Sequence, residues 1–339
     1  MELTTVWFAL IAVLWVGYFC LEGFDFGVGM LLPVLARNDT ERRVMINTVG
    51  PVWDGNEVWV LVAGGATFAA FPEWYATLFS GFYLPLLLIL VALIVRGLSF
   101  EYRHKRTDAT WQGRWDLALI IGSFVPALLW GVAFANIVAG VPIDADKEFT
   151  GSLLTLLNPF GLLGGLVTLT LFAAHGAMFV ALKTDGEIRH RARDLAVRIG
   201  AVAAVLAVVF LAWTQAKTGT ALSAVVFVVA AGSLLAGLAA ARAGREGWAF
   251  VGTFVTIALA VLGLFLALFP DVMPSTTDAA YSLTTTNAAA TAYTLKVMTW
   301  VAVIFTPIVL GYQAWTYWVF RKRISVHHIP APTAADAVS

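Results

Sequence analysis

The 339-residue sequence has a single cysteine and few charged side chains. One cysteine, Cys20, excludes both an internal disulfide and a thiolate cluster for zinc or iron–sulfur groups. Charged residues make up 12% of the chain, about half of the ~25% that is usual in soluble domains, and no basic patch points to nucleic acid. No nucleotide-binding loop, dinucleotide-binding turn, zinc-hydrolase or serine-nucleophile pattern stands in a supporting context. These patterns therefore give no support to a soluble enzyme or a nucleic-acid-binding protein.

Long apolar runs dominate the sequence instead. Hydrophobic residues make up 60% of the chain and the mean hydropathy is +0.83, which is typical of a polytopic membrane protein. A helix needs about 20 apolar residues to cross the hydrocarbon core. Nine runs are candidates, at 4–35, 52–71, 76–97, 115–139, 160–182, 196–213, 221–241, 248–269 and 291–319. The first is too long for one straight crossing, so we expect tilt or an interfacial end near Pro33.

The connections between the runs carry the signal for orientation. Basic residues cluster after the first, third, fifth, seventh and ninth runs, whereas the other connections have almost none. They are Arg37, Arg42, Arg43, Arg103, Lys105, Arg106, Arg114, Lys183, Arg189, Arg191, Arg193, Arg198, Arg242, Arg245, Arg321, Lys322 and Arg323. Because cytoplasmic loops are enriched in Lys and Arg, the sequence predicts an N-terminus outside and a C-terminus in the cytoplasm. The alternation favours nine spans over eight, since eight would place one basic cluster outside.

A faint internal repeat indicates two similar units. The loops that begin at Arg37 and Lys183 share basic, acidic, acidic and basic residues at the same spacing, on the same expected side of the membrane. A chance likeness between two charged loops is the alternative. The predicted fold is all-α: a first four-helix transmembrane unit in 1–140, a second unit of parallel orientation in 155–270, a ninth helix in 290–320 and a disordered cytoplasmic tail in 324–339.

Carboxylates inside two apolar runs are the main candidates for function. Glu22 and Asp25 lie three residues apart in the first run, and Asp54 and Glu57 lie three apart at the start of the second. An ionisable side chain at the centre of a spanning helix costs roughly 2.5–3.5 kcal/mol, so intramembrane charges indicate function. On two adjacent, antiparallel helices, the four carboxylates converge in the cytoplasmic half of the membrane. They predict a proton path or a cation site; alternatively, Asp54 and Glu57 only stabilise a helix N-terminus.

The other candidates inside the runs are a histidine, a tryptophan and three glycines. His175 is the only histidine that we place inside a run, and it is a candidate for haem ligation or for a proton relay, in which Trp53 is a second candidate. A hydrogen-bonded packing histidine is the alternative. One histidine cannot supply the axial ligands of several haems, so most haem ligands would have to come from another chain. Gly23, Gly27 and Gly29 are candidates for close helix packing.

Arg96, Glu101 and Arg103 end the third run on the expected cytoplasmic side. The two arginines are candidates for ion pairs with Glu101 or with the group around Asp54, or for contact with lipid phosphate. Snorkelling of the arginines to the membrane surface is the alternative. No residue of the chain is predicted to be catalytic in itself or to bind a metal ion.

Several motifs together resemble one family. They are Gly23-Phe24-Asp25-Phe26-Gly27-Val28-Gly29-Met30, Arg37-Asn38-Asp39-Thr40-Glu41-Arg42-Arg43, Trp53-Asp54-Gly55-Asn56-Glu57-Val58-Trp59, Ala63-Gly64-Gly65-Ala66 and Phe79-Ser80-Gly81-Phe82-Tyr83. These stretches look like subunit II of the cytochrome bd-type quinol oxidases. The resemblance is specific through Arg103, and beyond it only helix count and loop pattern agree. The aspartates of the family's Gly-Phe-Asp and Trp-Asp-Gly-Asn motifs correspond to Asp25 and Asp54, and Glu22 is an aspartate in some members.

The resemblance implies an oxidoreductase complex of the bacterial cytoplasmic membrane that oxidises membrane quinol and reduces O₂ to water in aerobic respiration. It implies a heterodimer in which subunit I carries both b-type haems and haem d, so that this chain carries no haem. Protons would come from the cytoplasm along a path that subunit II helps to form through Asp25 and Asp54. The resemblance leaves open a structural quinone in this subunit, for which His175 and Trp53 are candidate contacts, and a small accessory single-span subunit.

Two other functions stay open on the sequence. A cation-coupled secondary transporter would also have internal repeats and carboxylates near the membrane midplane. A purely structural partner of subunit I would need the same helices but no proton path. Co-purification with a haem-bearing chain separates the oxidase subunit from the transporter. Carboxylate variants that lose assembly rather than turnover would indicate the structural role.

Overall fold

The computed structural model describes residues 2–329, and most of them are helical. The helices are α1 (Leu3–Leu35), α2 (Asp39–Val49), α3 (Trp53–Ala70), α4 (Pro72–Gly81), α5 (Tyr83–Tyr102), α6 (Ala109–Ala139), α7 (Leu153–Leu156), α8 (Pro159–Lys183), α9 (Glu187–Thr218), α10 (Ala221–Arg242), α11 (Glu246–Leu268) and α12 (Ala292–Val319). In this part of the chain the strands β1 (Asp271–Met273) and β2 (Leu283–Thr284) form a two-stranded antiparallel sheet. Short 3₁₀ helices cover Arg103–Lys105, Ala279–Tyr281 and Val326–His328. The predicted all-α membrane fold is confirmed.

Eight helices within residues 2–329 are long and apolar enough to cross a membrane, namely α1, α5, α6, α8, α9, α10, α11 and α12. The second predicted span corresponds to α3, which has 18 residues and so rises about 27 Å, close to the ~30 Å of the hydrocarbon core. Asp54 and Glu57 near its start make α3 less apolar than the most apolar stretches of the other eight helices. The predicted count of nine membrane crossings stays a prediction.

Some of the predicted runs differ from the observed helices in their bounds or in their expected geometry. The run predicted at 76–97 is divided between α4, which ends at Gly81, and α5. The run predicted at 196–213 covers only the middle of α9. The 32-residue helix also includes charged residues, which a hydropathy profile does not assign to an apolar run. α1 is unbroken through Pro33. Its 33 residues rise about 50 Å, so it must tilt or extend beyond the hydrocarbon core.

The basic connections lie at one end of the helical bundle, where ion pairs join them. Arg103 directly follows α5, and its Nη2 lies 2.6 Å from Asp39 Oδ1 at the start of α2. Glu246, at the start of α11, lies 2.9 Å from Arg189 Nε of α9 and 3.9 Å from Arg323 Nη2, which follows α12. Connections that the sequence assigns to one side of the membrane are therefore in contact. Which side is cytoplasmic stays a prediction.

The remaining connections meet at the opposite end of the bundle. Thr77 Oγ1 of α4 donates to the backbone oxygen of Lys147 at 2.8 Å, and Lys147 Nζ lies 3.4 Å from Glu73 Oε2. The backbone N–H of Ala290, just before α12, donates to the backbone oxygen of Ala70 at 2.8 Å. Since α3 begins shortly after α2 and ends at Ala70, it runs from the basic end of the bundle to this one.

α1 contacts α3, α6, α8 and α11 and is the central helix of the fold. The backbone of α8 approaches it most closely. A Cβ atom at Gly27 would lie 2.7 Å from Gly176 Cα, and one at Gly176 would lie 2.5 Å from Gly27 Cα, so both positions need glycine. α1 and α8 are the first long helices of the two predicted four-helix units, and the division at 1–140 and 155–270 stays a prediction.

α12 is a peripheral helix, since only 6% of the residues in its most apolar stretch are buried inside the described chain. The segment after it is fastened to the end of α8. The backbone N–H of Ile324 donates to the Lys183 oxygen at 2.8 Å, and Arg323 Nη1 donates to the Thr184 oxygen at 2.8 Å. The tail that was predicted to be disordered from Ile324 therefore begins with an ordered part, 324–329. Its remainder, 330–339, lies outside the described residues.

Glu41 holds α2 against α9. Its Oε2 accepts hydrogen bonds from Arg191 Nη2 and from the Arg37 backbone N–H, both at 2.7 Å. Burial acts to raise the pKa of Glu41, but the hydrogen bonds outweigh it and hold that pKa below its usual value. A carboxyl whose folded-state pKa is lowered stabilises the fold above its unfolded-state pKa, and this contribution is lost as the pH falls through the folded-state value.

At neutral pH, we expect the backbone amides of α2 to exchange more slowly in the unmodified chain than in Glu41→Gln. The difference should disappear as the pH falls through the lowered folded-state pKa of Glu41, because the unmodified side chain then becomes neutral as well. Hydrogen-exchange mass spectrometry over residues 39–49 across this pH range measures it. An equal difference at acid and neutral pH would contradict an effect of the carboxylate charge.

Candidate functional site

Arg96 is the centre of a buried charged cluster. It lies in α5 with a side chain that is 0% exposed, and its Nη1 donates to Glu22 Oε1 of α1. The same nitrogen lies 3.5 Å from Glu57 Oε2 of α3. The guanidinium also faces the rings of Phe26 and Phe100, 4.9 and 5.6 Å from their centroids. Three helices thus bring charges together in aromatic surroundings, where each unmatched charge is costly.

Asp25 reaches the neighbouring helices through Asn56. Asn56 Nδ2 of α3 donates to Asp25 Oδ2 of α1 at 2.7 Å, and both side chains are buried. Asn56 Oδ1 accepts from the Tyr317 hydroxyl at 2.7 Å and from Gln313 Nε2 at 3.3 Å. Asn56 therefore connects Asp25 to α12, the peripheral last helix.

The cluster has more acidic than basic groups. Three carboxylates, Glu22, Asp25 and Glu57, interact electrostatically with one guanidinium, that of Arg96. Within residues 2–329, Glu22 Oε2, Asp25 Oδ1 and both Arg96 Nε and Nη2 are buried without a hydrogen-bond partner. Buried polar atoms are nearly always satisfied by protein groups or ordered water, so these atoms can bind water or take part in proton transfer. The arrangement can hold and exchange protons while Arg96 balances one negative charge.

Asp54 lies at the margin of the cluster rather than inside it. It is exposed in the first turn of α3, and its Oδ1 accepts from the Gly55 backbone N–H at 2.7 Å. Glu57, about one turn further along the helix, has a side chain that is 22% exposed. Trp53 stacks on Phe100 with 4.8 Å between ring centroids, so it packs beside the ring that faces Arg96.

The predicted ion pairs at the end of the third run are only partly observed. Arg96 reaches Glu57, which belongs to the group around Asp54, as well as Glu22. Glu101 is exposed and forms no ion pair within the described residues, so the structure does not show the predicted pairing of Arg96 with Glu101. The reason is helical geometry: five residues separate Glu101 from Arg96, which places the two side chains about 140° apart around the helix.

Arg103 belongs to a second cluster at the basic end of the bundle. Its Nε lies 2.5 Å from Asp116 Oδ1 of α6, and its Nη2 contacts Asp39 of α2. Arg42 Nη1 adds a contact of 3.1 Å to Asp116 Oδ2. The two arginines and two aspartates balance in charge, which is typical of a structural clamp rather than of a proton-exchanging group.

His175 of α8 is enclosed between α1 and α11. Its side chain is fully buried and stacks on Phe250 at 4.6 Å. Nε2 donates to the Cys20 backbone oxygen at 3.1 Å, so Nδ1 accepts from the Thr253 hydroxyl at 2.6 Å. Because both ring nitrogens have partners inside the chain, this arrangement favours the packing histidine over a ligand of haem or quinone.

The three glycines of the first motif lie at helix contacts. A Cβ atom at Gly23 would lie 2.8 Å from the Phe172 ring of α8, and one at Gly29 would lie 2.9 Å from Ser123 Cβ of α6. Gly27 faces α8 as described above. The motif thus allows α1 to approach two neighbours while it presents its carboxylates to α3 and α5.

Sequence reasoning missed Asn56, Gln313 and Tyr317 as members of the site. A signal was present for the last two, since they are polar residues four positions apart in an otherwise apolar run and so share one helix face. Asn56 stands between Asp54 and Glu57 in a motif that had already been singled out. Its two-sided hydrogen bonding depends on α12, more than 200 residues away, and is not visible in the sequence.

Among residues 2–329, no group of three or more His, Cys, Asp and Glu side chains could hold a metal ion. Fold and site together define a polytopic helical membrane protein with an acidic cluster around one buried arginine. Residues 3–320 match the family described as cytochrome bd terminal oxidase subunit II. The chain therefore belongs to this family, and the resemblance noted in the sequence is confirmed.

Curated relatives agree with this assignment along nearly their whole length. Cytochrome bd ubiquinol oxidase subunit 2 of Bacillus subtilis (strain 168) is 44% identical over 329 residues, which cover 96% of this chain and 97% of the relative. Cytochrome bd-I ubiquinol oxidase subunit 2 of Escherichia coli (strain K12) is 39% identical and covers 97% of both chains. A chain of the bd oxidase from Geobacillus thermodenitrificans has a similar fold, with a TM-score of 0.74 and 16% identity over 94% of this chain and 99% of that chain.

Proposed function

We propose that this chain is the haem-free subunit of a terminal quinol oxidase in a bacterial cytoplasmic membrane. Family membership and relatives that are named ubiquinol oxidase subunits support this reaction class. The complex oxidises membrane quinol and reduces O₂ to water. The haems b and d of subunit I supply the redox chemistry, and the residues of this chain supply protons and structural support.

The excess of buried carboxylates around Arg96 carries the proposal of a proton path. Asp54 is exposed, Glu57 is partly exposed, and Glu22 and Asp25 are buried, so the carboxylates lead from the outside of the chain inward. Protons enter at Asp54, pass Glu57 and are held at Asp25. The basic connections at this end of the bundle support a cytoplasmic source for them.

Arg96 makes the cluster able to change its proton content at low cost. Its guanidinium compensates one carboxylate, that of Glu22, which it contacts directly. Two further carboxylates, those of Asp25 and Glu57, have no second cation among the described residues of the cluster, so a proton on either reduces the buried negative charge. At Asp25, Oδ2 is occupied by Asn56, and Oδ1 is the oxygen that exchanges the proton.

α12 is the surface that we assign to the haem-bearing partner. Only 6% of the residues in its most apolar stretch are buried in this chain, although Gln313 and Tyr317 near its end reach Asn56 beside the acidic cluster. The exposed side chains between its ends are large and apolar: Trp300, Val303, Ile304, Phe305, Ile308 and Trp315. A helix with so few contacts to its own chain gains most of its packing from a neighbouring subunit.

A bound quinone, which the family resemblance leaves open, fits an apolar cavity better than it fits His175. The cavity lies between α1, α3, α4, α6 and α11, and Trp15, Trp74 and Trp130 are among its lining residues. Trp74 Nε1 is buried without a hydrogen-bond partner in the described chain, and it can donate to a quinone oxygen. The other lining residues are mostly apolar and suit the ring and the isoprenoid tail of a quinone.

The Asp25→Asn variant tests the proton role, because the amide keeps the size of the side chain and can still accept from Asn56. We expect quinol-driven O₂ uptake by the purified complex to fall about tenfold or more, the lower end of what a general acid or base contributes. Haem content and subunit ratio should stay unchanged. Asp146→Asn, at an exposed position of the opposite end, is the matched control and should leave turnover unchanged.

Three outcomes separate this proposal from the alternatives. Unchanged O₂ uptake in Asp25→Asn contradicts the proton role. Loss of haem or of the partner from the complex indicates the purely structural role instead. Purification without any haem-bearing chain, together with ion-driven solute uptake in vesicles, would identify a secondary transporter.

A further inference from the structure

A chain of hydrogen bonds with a fixed direction links the last helix to Asp25. Trp59 Nε1 donates to Gln313 Oε1 at 2.8 Å, and Gln313 Nε2 donates to Asn56 Oδ1 at 3.3 Å. The Tyr317 hydroxyl donates to the same Asn56 oxygen at 2.7 Å. Asn56 Nδ2 then donates to Asp25 Oδ2 at 2.7 Å.

These partners determine which way the Asn56 amide points. Turning it over would place its NH₂ group against the Gln313 NH₂ group and its oxygen against the Asp25 carboxylate, where donors meet donors and acceptors meet acceptors. Asn56 is 0% exposed, so bulk water is not available to relieve such contacts. The donor to Asp25 is therefore held in place from α12.

We propose that Asn56 is a positioning residue through which the seating of α12 sets the orientation of the Asp25 carboxylate. The inference rests on the proposed role of Asp25 in proton transfer. With Oδ2 fixed by Asn56, the unpaired Oδ1 keeps a constant direction for proton exchange. Since few residues of α12 are buried in its own chain, we expect the haem-bearing partner proposed above to help hold α12, and with it Asn56, in place.

Tyr317 is the residue whose substitution tests this coupling between α12 and Asp25. Its hydroxyl bonds to Asn56, and within residues 2–329 it forms no hydrogen bond to a carboxylate of the cluster. Asn56 is thus its hydrogen-bonded connection to the cluster, and we expect an effect of the hydroxyl on turnover to pass through Asn56 to Asp25. Tyr317→Phe removes the hydroxyl and keeps the ring, so it changes the packing of α12 little.

In the assembled oxidase, we expect Tyr317→Phe to lower quinol-driven O₂ uptake about two- to tenfold, the range that corresponds to one lost hydrogen bond. Haem content and subunit ratio should not change. Tyr83→Phe is the matched control: it removes a hydroxyl from an exposed residue at the start of α5, at the opposite end of the bundle, and should leave turnover unchanged.

A double-substitution cycle distinguishes positioning from a general structural effect. If Tyr317 acts through Asp25, Tyr317→Phe should cause no further loss of turnover in the Asp25→Asn background. The infrared carboxyl band that disappears in Asp25→Asn should shift in Tyr317→Phe and stay in place in Tyr83→Phe.

The outcomes for the two proposals are separable. Normal turnover in Asp25→Asn overturns the proton role and this inference with it. Reduced turnover in Asp25→Asn with normal turnover and an unshifted band in Tyr317→Phe overturns only the positioning role of Asn56. Equal losses from Tyr317→Phe in both backgrounds, or loss of haem from this variant, also overturn it, because they assign the hydroxyl a structural role independent of Asp25.

Discussion

Replacing Arg96 by methionine should prevent the chain from accumulating as a folded, assembled subunit. Removing one member of a buried ion pair leaves an uncompensated charge and typically costs about 3–5 kcal/mol. Here the guanidinium is fully buried and faces both Glu22 and Glu57, so methionine leaves carboxylates without any cation. The amount of subunit in membranes and the thermal stability of the purified complex measure the effect.

A second substitution tests whether charge, rather than packing, causes the loss. Glu22→Gln combined with Arg96→Met removes both members of the closest pair, and neutralising both partners costs much less than removing one. We expect the double variant to recover a large part of the accumulation that Arg96→Met loses. Failure of this rescue would show that the uncompensated charge of Glu22 does not cause the loss, which would then be assigned to the contacts of the guanidinium with Glu57 or with the Phe26 and Phe100 rings.

Gly27→Leu should separate α1 from α8 and likewise abolish stable assembly. A Cβ atom at this position would lie 2.7 Å from Gly176 Cα and 2.8 Å from Gly176 N, and a backbone cannot move aside as a flexible side chain can. Overpacking in a close-packed interior costs typically 1–3 kcal/mol, and we expect about 3 kcal/mol or more because four added carbons meet backbone. Complex yield in mild detergent and the midpoint of thermal unfolding report the loss.

Gly232→Leu is the matched control for this prediction. Gly232 lies inside α10, and a Cβ atom there has no neighbour within 4 Å. Leucine is also the better helix former, by up to about 1 kcal/mol, so yield and unfolding midpoint should be unchanged or slightly higher. Equal losses in both variants would mean that the leucine itself, not the α1–α8 contact, is responsible.

Most of the helical architecture could be predicted because it depends on local properties. The runs predicted at 160–182, 221–241 and 248–269 agree with α8, α10 and α11 within a few residues, since hydropathy over about 20 residues is a property of each segment alone. The bounds of α9 could not be found in this way. Its charged first part is helical but not apolar, so the hydropathy signal stops before the helix does.

Only the carboxylates of the candidate site could be predicted from the sequence. Glu22, Asp25 and Glu57 were recognised because a carboxylate inside an apolar run is conspicuous in the sequence. Arg96 looked like one of several arginines near a helix end, and its pairing with Glu22 depends on how α5 faces α1. The hydrogen bonds of Asn56 to Gln313 and Tyr317 were less visible still, because an amide and a hydroxyl in membrane helices also serve ordinary packing.

The sequence by itself therefore determined the class of protein, the approximate helices and the carboxylates, since all three follow from which side chains can leave water within one segment. Only the tertiary structure decided the partners: the single guanidinium among three carboxylates, the glycine contact of α1 with α8, and the link from α12 to Asp25. These depend on how each helix is rotated and placed against helices that are distant in sequence. Rotation and placement result from the packing of many side chains at once, which no single segment encodes.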